Sequence, residues 1–504
     1  MLDLIILGFE GVCHFNILLS MCVGVIAGII AGSIPGFTIT MAIVLTLPFT
    51  FAMTPIWGMA TMVGVYIGGL SGGLISAILL GIPGTPSAVA TTFDGYPMAI
   101  KKGKPGEALM IGISASFLGS LIGMVVLVTL APQVANIALK FGPWEYFSLI
   151  IFALTIIASI TGDSIIKGLL TGVFGLLIST VGTDPMTGFH RFTFGIRSLR
   201  AGLPFLTVLI GIFAVSRLFT ELESKKEITE NKKLVTSEVK INPFGGIKKV
   251  LSQPLNLIRS SLLGVLIGAI PGAGASISNI LAYDQAKKGS KYPEKFGKGI
   301  ADGIIASESA NNATAGGGLI PMMAMGIPGS AVSAVMLGAL MVHGIHPGPL
   351  LITNHPEVAG GIFASYFLAS IFMFFVQAWG VNLFVKVISI PKFILVPVVL
   401  SLCIIGSYVL NNRLSDLYIL FFLGIIGYFL IKNKFALAPI ILGCILGPIA
   451  ETNLRRAMMI SYDWSLFFTR PISLGFLIIG VISIFYSVWQ RNKQRRREDL
   501  KKVE

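Results

Sequence analysis

Gly81-Ile-Pro-Gly84 and Gly326-Ile-Pro-Gly329 are the same four residues, met twice in one chain. Each follows a glycine pair and an apolar run, Gly72-Gly73 then 74–80 in the first copy and Gly317-Gly318 then 319–325 in the second. A related signal stands upstream of each, Gly32-Ser-Ile-Pro-Gly36 and Gly268-Ala-Ile-Pro-Gly272. The signals recur in the same order at nearly the same lag, with one longer loop in the second half. A single Pro-Gly says little in a membrane helix, where both residues are common. Four in register indicate that the chain contains itself twice.

Of the 504 residues, 54% are hydrophobic and 12% charged, against about 25% charged in soluble domains. Apolar segments near the length of a bilayer crossing follow one another along most of the chain. The expectation is an all-α polytopic membrane protein with about ten to fourteen transmembrane or re-entrant helices. A β-barrel would show segments of about ten residues with alternating polarity, whereas 121–130 and 417–431 are apolar all round. Cys13, Cys22, Cys403 and Cys444 lie in apolar segments without a Cys-x-x-Cys pair, so they read as small buried hydrophobes. The start of the chain lacks the basic residues of a secretory signal and reads as a retained first helix or in-plane segment.

The net charge of +14 is concentrated in a few places: 101–104, 221–259, 287–298 and a tail from Arg491. Residues 221–258 form the one long break in hydrophobicity and are expected to be a charged cytoplasmic linker. It separates a first membrane repeat (1–220) from a second repeat with C-terminal helices (259–490), and 491–504 form a basic cytoplasmic tail. Acids and bases interleave in the linker and no recognition module accompanies them, which argues against nucleic acid. In the first half the loop 45–57 carries no Lys or Arg, and the basic residues come after the second Pro-Gly signal. In the second half the pattern is exchanged, with the basic loop 287–298 between the signals and none in 344–357. Basic loops stay in the cytoplasm, so equivalent loops fall on opposite sides and the repeats are expected to be inverted. Arg191, Arg197, Arg200, Arg455 and Arg456 resist this scheme, and re-entrant or in-plane segments are expected around them.

Proline inside an apolar helix removes an amide donor, and glycine lets the chain turn where other residues cannot. At membrane depth the freed backbone groups need partners, so a broken helix usually lines a cavity. The N-terminus of the restarted helix favours an anion there. Isolated kinks are the alternative. Polar residues cluster after the breaks: Thr38 and Thr40 after Pro35-Gly36; Thr85, Ser87, Thr91, Thr92 and Asp94 after Pro83-Gly84; Ser276, Ser278 and Asn279 after Gly272; Ser330 and Ser333 after Gly329. The candidate substrate site is therefore Pro35, Gly36, Thr38, Thr40, Gly84, Thr85, Ser87, Gly272, Ser276, Gly329 and Ser330. The richest patch is Ser307-Glu-Ser-Ala-Asn-Asn-Ala-Thr314, followed by three glycines, 316–318, expected to end or unwind its helix. Hydroxyl and amide oxygens beside unwound carbonyls suit sodium, so Asn279, Ser307, Asn311, Asn312 and Thr314 are the candidate ion ligands. The alternative is interhelical hydrogen bonding, with Glu308 reaching water. There is no metal motif, P-loop or nucleophile elbow, so the chain reads as a non-enzyme driven by an ion gradient.

Gly32–Gly36, the run from Tyr66-Ile-Gly-Gly-Leu-Ser-Gly-Gly to Gly84-Thr-Pro86, and Thr91-Thr-Phe-Asp-Gly-Tyr-Pro97 together resemble the large subunit of the tripartite tricarboxylate transporters, the TctA family. Ser307 to Thr314, His343-Gly-Ile-His-Pro-Gly-Pro349 and Leu446-Gly-Pro-Ile-Ala-Glu-Thr-Asn-Leu-Arg-Arg456 extend the resemblance over nearly the whole chain. It implies a multi-pass permease of the bacterial cytoplasmic (inner) membrane, with about twelve helices. The implied partners are a small four-helix membrane subunit and a periplasmic solute-binding protein. The implied activity is symport of citrate or another organic carboxylate with Na⁺ or H⁺, without a cofactor. A stand-alone carrier, an anion channel and a non-transporting sensor or assembly platform are the other classes that this sequence admits.

Overall fold

The computed structural model describes residues 2–160, 164–184, 186–223, 241–387 and 392–485. The charged centre of the expected linker and the basic tail lie outside these residues. The first half runs α1 (Leu2–Val12), α2 (Phe15–Ser33), α3 (Ile39–Thr50), α4 (Pro55–Leu80), α5 (Thr91–Tyr96) and α6 (Pro105–Ala138). It continues with α7 (Pro143–Ile160), α8 (Ile165–Thr180), a two-residue hairpin β1 (Gly182–Thr183) and β2 (His190–Arg191), α9 (Phe205–Leu209) and α10 (Ser216–Glu223). Next come α11 (Pro243–Leu251), α12 (Pro254–Ala269), α13 (Gly274–Lys288), α14 (Ala301–Met325), α15 (Ala331–Val342), α16 (Leu351–Asn354) and α17 (Pro356–Val387). The C-terminal set is α18 (Lys392–Asn411), α19 (Leu414–Lys432), α20 (Ala438–Ile460), α21 (Leu466–Thr469) and a last apolar helix, Pro471–Phe485.

Among the described residues, six helices are long and apolar enough to cross a bilayer, and six shorter apolar helices accompany them. The chain is an all-α polytopic membrane protein. α11 and α12 meet at a bend of 87°, and Gly246 of α11 rests on the Met110 carbonyl of α6, so helix begins well before residue 259. α1 is equally tied down: a Cβ on its Gly8 would lie 2.1 Å from the Gly360 carbonyl oxygen of α17.

The duplication read from the sequence returns as repeated local geometry. α2 packs on α4 through small residues, and a Cβ at Gly32 would stand 2.3 Å from the Gly69 carbonyl oxygen. α12 packs on α14 in the same manner, with Gly268 at 2.3 Å from the Thr314 oxygen. Without a hydrophobic drive between helices in lipid, such close backbone approach is what holds membrane helices together. α4 then ends at Gly81 with φ +68, and α14 at Gly326 with φ +71, both left-handed caps that other residues adopt only with strain.

One expectation differs from what is found. The glycine run 316–318 does not unwind its helix: α14 is continuous to Met325. These glycines serve packing instead, Gly316 against Gly123 and Gly317 against the Val265 carbonyl, so tertiary contact overrides their poor helix propensity. The arginine-rich stretch after α8 is a short antiparallel hairpin, Gly182 opposite Arg191, followed by a single tight turn. Two of its charged side chains, Arg191 and Asp184, pair with α20. Arg191 meets Glu451 at 2.7 Å, and Arg455 meets Asp184 at 2.9 Å and Glu451 at 2.5 Å. Hydrogen bonds from the Thr187 hydroxyl, Arg455 and the Met186 amide hold the Asp184 carboxyl well below the ordinary carboxylate range.

Candidate functional site

The broken tips converge. Pro35-Gly36 separates α2 from α3, Pro271-Gly272 separates α12 from α13, and the two Gly-Ile-Pro-Gly turns deliver a short turn at Pro86 and α15. Between them lies a cavity of about 520 Å³. Thr38, Thr40, Thr85, Ser87, Gly272, Ser276 and Ser330, all expected from the sequence, line it. The first turns of α3, α13 and α15 are in its wall. Thr38 caps α3 by accepting from the Met41 amide at 3.2 Å, and Ser330 caps α15 reciprocally with Ser333. Thr85 and Ser87 share a hydrogen bond of 2.9 Å. Three helix starts, ringed by hydroxyls, form an environment for a negative group.

Pro35, Gly36, Gly84 and Gly329 stand behind this lining. A Cβ on Gly84 would lie 2.1 Å from the Gly32 carbonyl oxygen, and one on Gly329 2.2 Å from that of Gly268. Gly36 (φ +94) turns beside the Glu221 carboxylate, and the Gly272 amide donates to the Gly329 carbonyl at 2.9 Å, joining the two tips of the second half. Sequence reasoning missed Arg217, Lys434 and Tyr66, which complete the wall. Arg217 shares its short helix with Glu221 and Glu223, so no signal in the sequence set it apart from the charged segment that follows. Nothing in Lys432-Asn-Lys434 sets Lys434 apart in the sequence.

The five expected ion ligands are fully buried and none lines the cavity. Asn279 bridges two elements, its oxygen accepting from the Ala90 amide at 2.7 Å and its Nδ2 donating to the Ser307 carbonyl at 3.1 Å. Asn311 Nδ2 donates to the Leu70 carbonyl of α4 at 2.9 Å. Asn312 turns to α6, donating to Ser120 Oγ at 3.2 Å, and Thr314 to α13, with Ser278 Oγ at 2.7 Å. The structure thus gathers Asn279, Ser307 and Asn311 on the side of α5 and α4, and sends Asn312 and Thr314 to other neighbours. The amide oxygens of Asn311 and Asn312 have no hydrogen-bond partner. Glu308 does not reach water; it is fully buried against Thr91 and Ser116.

A second feature ties the halves. Asp94 Oδ1 accepts the amides of Gly297, Gly299 and Ile300 at 3.0, 2.7 and 3.0 Å, while Oδ2 accepts from the Tyr283 hydroxyl at 2.9 Å. Lys102 Nζ donates to the Gly299 carbonyl at 2.6 Å.

Broken helices around a cavity at the meeting of two related halves define a membrane transport protein of the discontinuous-helix kind. Residues 18–442 match the Tripartite tricarboxylate transporter TctA family, and the chain belongs to that family. It is 35% identical over 462 residues to the "Uncharacterized 52.8 kDa protein in TAR-I ttuC' 3'region" of Agrobacterium vitis, covering 89% of this chain and 88% of that protein. It is 37% identical over 234 residues to the "Uncharacterized protein in TAR-II ttuC' 3'region" of the same organism, covering 46% of this chain and 97% of that protein. No solved structure matches it.

Proposed function

We propose that this chain is the permease subunit of a binding-protein-dependent secondary transporter that imports tricarboxylates or related organic carboxylates on a Na⁺ or H⁺ gradient. One observation carries the reading. Three helix N-termini, six Ser and Thr side chains, Arg217 and Lys434 surround a cavity whose volume lies in the range of about 300–1,000 Å³ used by small-molecule sites. Amides and hydroxyls would hold the carboxylate oxygens, and the two cations would offset their charge. Asn279, Ser307, Asn311, Asn312 and Thr314 remain the proposed neighbourhood of the coupling ion. The four-helix membrane subunit and the periplasmic solute-binding protein are the proposed partners, and the bacterial inner membrane the proposed location. Residues 1–220 and 259–490 are proposed to be inverted repeats.

The test is uptake of labelled citrate by vesicles holding the chain and its two presumed partners, with Na⁺ and pH gradients imposed separately. A carrier accumulates label and exchanges it against unlabelled substrate inside. A channel shows no such trans-stimulation, and an assembly protein shows no flux; either result ends the reading. Single cysteines at Lys102→Cys and Pro349→Cys should label from opposite faces, and labelling from one face would end the inversion.

A further inference from the structure

Glu308 sits in the middle of α14 with none of its surface exposed. Taking a charge out of water without a counter-ion is costly, and no charged group neighbours it among the described residues. The titratable groups on the helices around it are committed elsewhere. Asp94 on α5 is held by the 297–300 amides and by Tyr283 of α13, Glu107 of α6 pairs with Lys104, and Arg259 of α12 lies against Gly289. Tyr366 of α17 donates to the Asn312 carbonyl, and Tyr66 of α4 lines the cavity.

The hydrogen bonds decide which form fits. Thr91 Oγ1 contacts Glu308 Oε1 and lies 3.2 Å from Ser307 Oγ, whose own hydrogen goes to the Ile304 carbonyl at 3.2 Å. Thr91 has a single hydrogen and two oxygens at which to aim it. With Glu308 ionised, Thr91 must donate to the carboxylate, and Ser307 loses its donor. With a proton on Oε1, Glu308 donates to Thr91, Thr91 to Ser307 and Ser307 to Ile304. Oε2 meanwhile accepts from Ser116 at 2.9 Å, and the Asn311 amide nitrogen lies 3.5 Å away. The neutral acid completes one more hydrogen bond than the carboxylate. A metal ion is served less well, because Asn311 turns its N–H side to Glu308 and carries its unpartnered oxygen on the other arm of the amide.

We propose that Glu308 binds and releases the coupling proton, an inference that rests on reading the chain as a cation-driven importer. The proton arrives from water on the outer side, bonds to Oε1 and returns to water on the inner side; no other bond changes. Its loss redirects the Thr91 hydrogen from Ser307 to Glu308, which unties α5 from Ser307 of α14. Thr91 follows closely on Thr85 and Ser87, and the Leu70 carbonyl held by Asn311 belongs to another residue of the cavity wall. Proton occupancy thereby reaches the substrate site through a single turn of chain.

Two measurements on the full chain test this. Infrared difference spectra of the purified protein, titrated with acid and base, should show a carboxylic C=O band that Glu308→Gln removes. Gln keeps the neutral acid's donor and acceptor pattern, so the variant should fold. Ser307→Ala frees the Thr91 hydrogen for the carboxylate, favours the ionised form and should move the titration midpoint to lower pH, which a merely structural role would not do. In vesicles with the presumed partners, Glu308→Gln should lose uptake of labelled citrate driven by a pH gradient, and its exchange should become independent of pH. Failure of wild type to move citrate would count against the proposed function alone, and the infrared result would still decide for Glu308. A band that persists in Glu308→Gln, accumulation that survives in that variant, or wild-type uptake that follows Na⁺ with no response to a pH gradient would overturn the proposal.

Discussion

The cavity and the patch 307–314 of α14 are both rich in hydroxyls and amides, yet they are opposites. In the cavity the polar groups follow breaks in the backbone, so the first turns of three helices line a space. In α14 the helix runs unbroken through 307–314, and its polar side chains bond to neighbouring helices. Polar composition alone does not make a ligand site in a membrane protein. A broken backbone supplies the direction that side chains lack.

The sharpest way to break this comparison is at the turns that create it. Gly84→Val or Gly329→Val would drive a branched side chain into a helix carbonyl, about 2 Å from the Cβ in either case. The expected loss is more than about 4 kcal/mol of stability, read as failure to accumulate folded protein in the membrane. Normal expression of both variants would return these glycines to the ligand site.

Arg217→Ala tests the cavity itself. Losing one charge-assisted contact of about 1.5–3 kcal/mol should weaken carboxylate affinity about 10- to 150-fold at unchanged expression, measured by concentration-dependent uptake. An affinity equal to wild type would place the anion elsewhere.

Asn311→Ala addresses the other region. The Leu70 carbonyl it contacts belongs to a helix and has its own ladder bond, so carboxylate affinity should change by no more than about threefold, or ~0.65 kcal/mol. A loss as large as that of Arg217→Ala would merge the two regions into one site.

The smallest effect is expected far from both. Asp184 is depressed in the folded protein, so its contribution is present above its unfolded pKa and is lost only as pH falls through the folded value. Asp184→Asn should lower the midpoint of thermal unfolding slightly near neutral pH and leave uptake unchanged. The difference from wild type should vanish in strong acid, as followed by melting of the detergent-solubilised protein.

The sequence allowed the cavity to be found because Pro and Gly act on the backbone through their own covalent structure, which a one-dimensional reading can follow. Thr38, Thr85, Ser276 and Ser330 were within reach because each comes soon after a break. Arg217 and Lys434 were not, since α10 and the turn after α19 are remote in sequence from the breaks and only packing brings them to the cavity. The glycines 316–318 were misread for the converse reason. Their effect depends on whether a neighbouring backbone lies close enough to take the place of a side chain, and Gly123 and Val265 are distant in the chain.

The Asp94 clamp sets an order of events during synthesis. Its carboxylate is wholly buried, and four of its hydrogen bonds come from Tyr283, Gly297, Gly299 and Ile300. A ribosome that has finished the first half has made the carboxylate but none of these donors. Until Ile300 has emerged, the nascent first half must keep Asp94 facing water, with its final helix contacts postponed. Two genes encoding the halves separately would have to meet and close this clamp in the bilayer before either product could complete its fold.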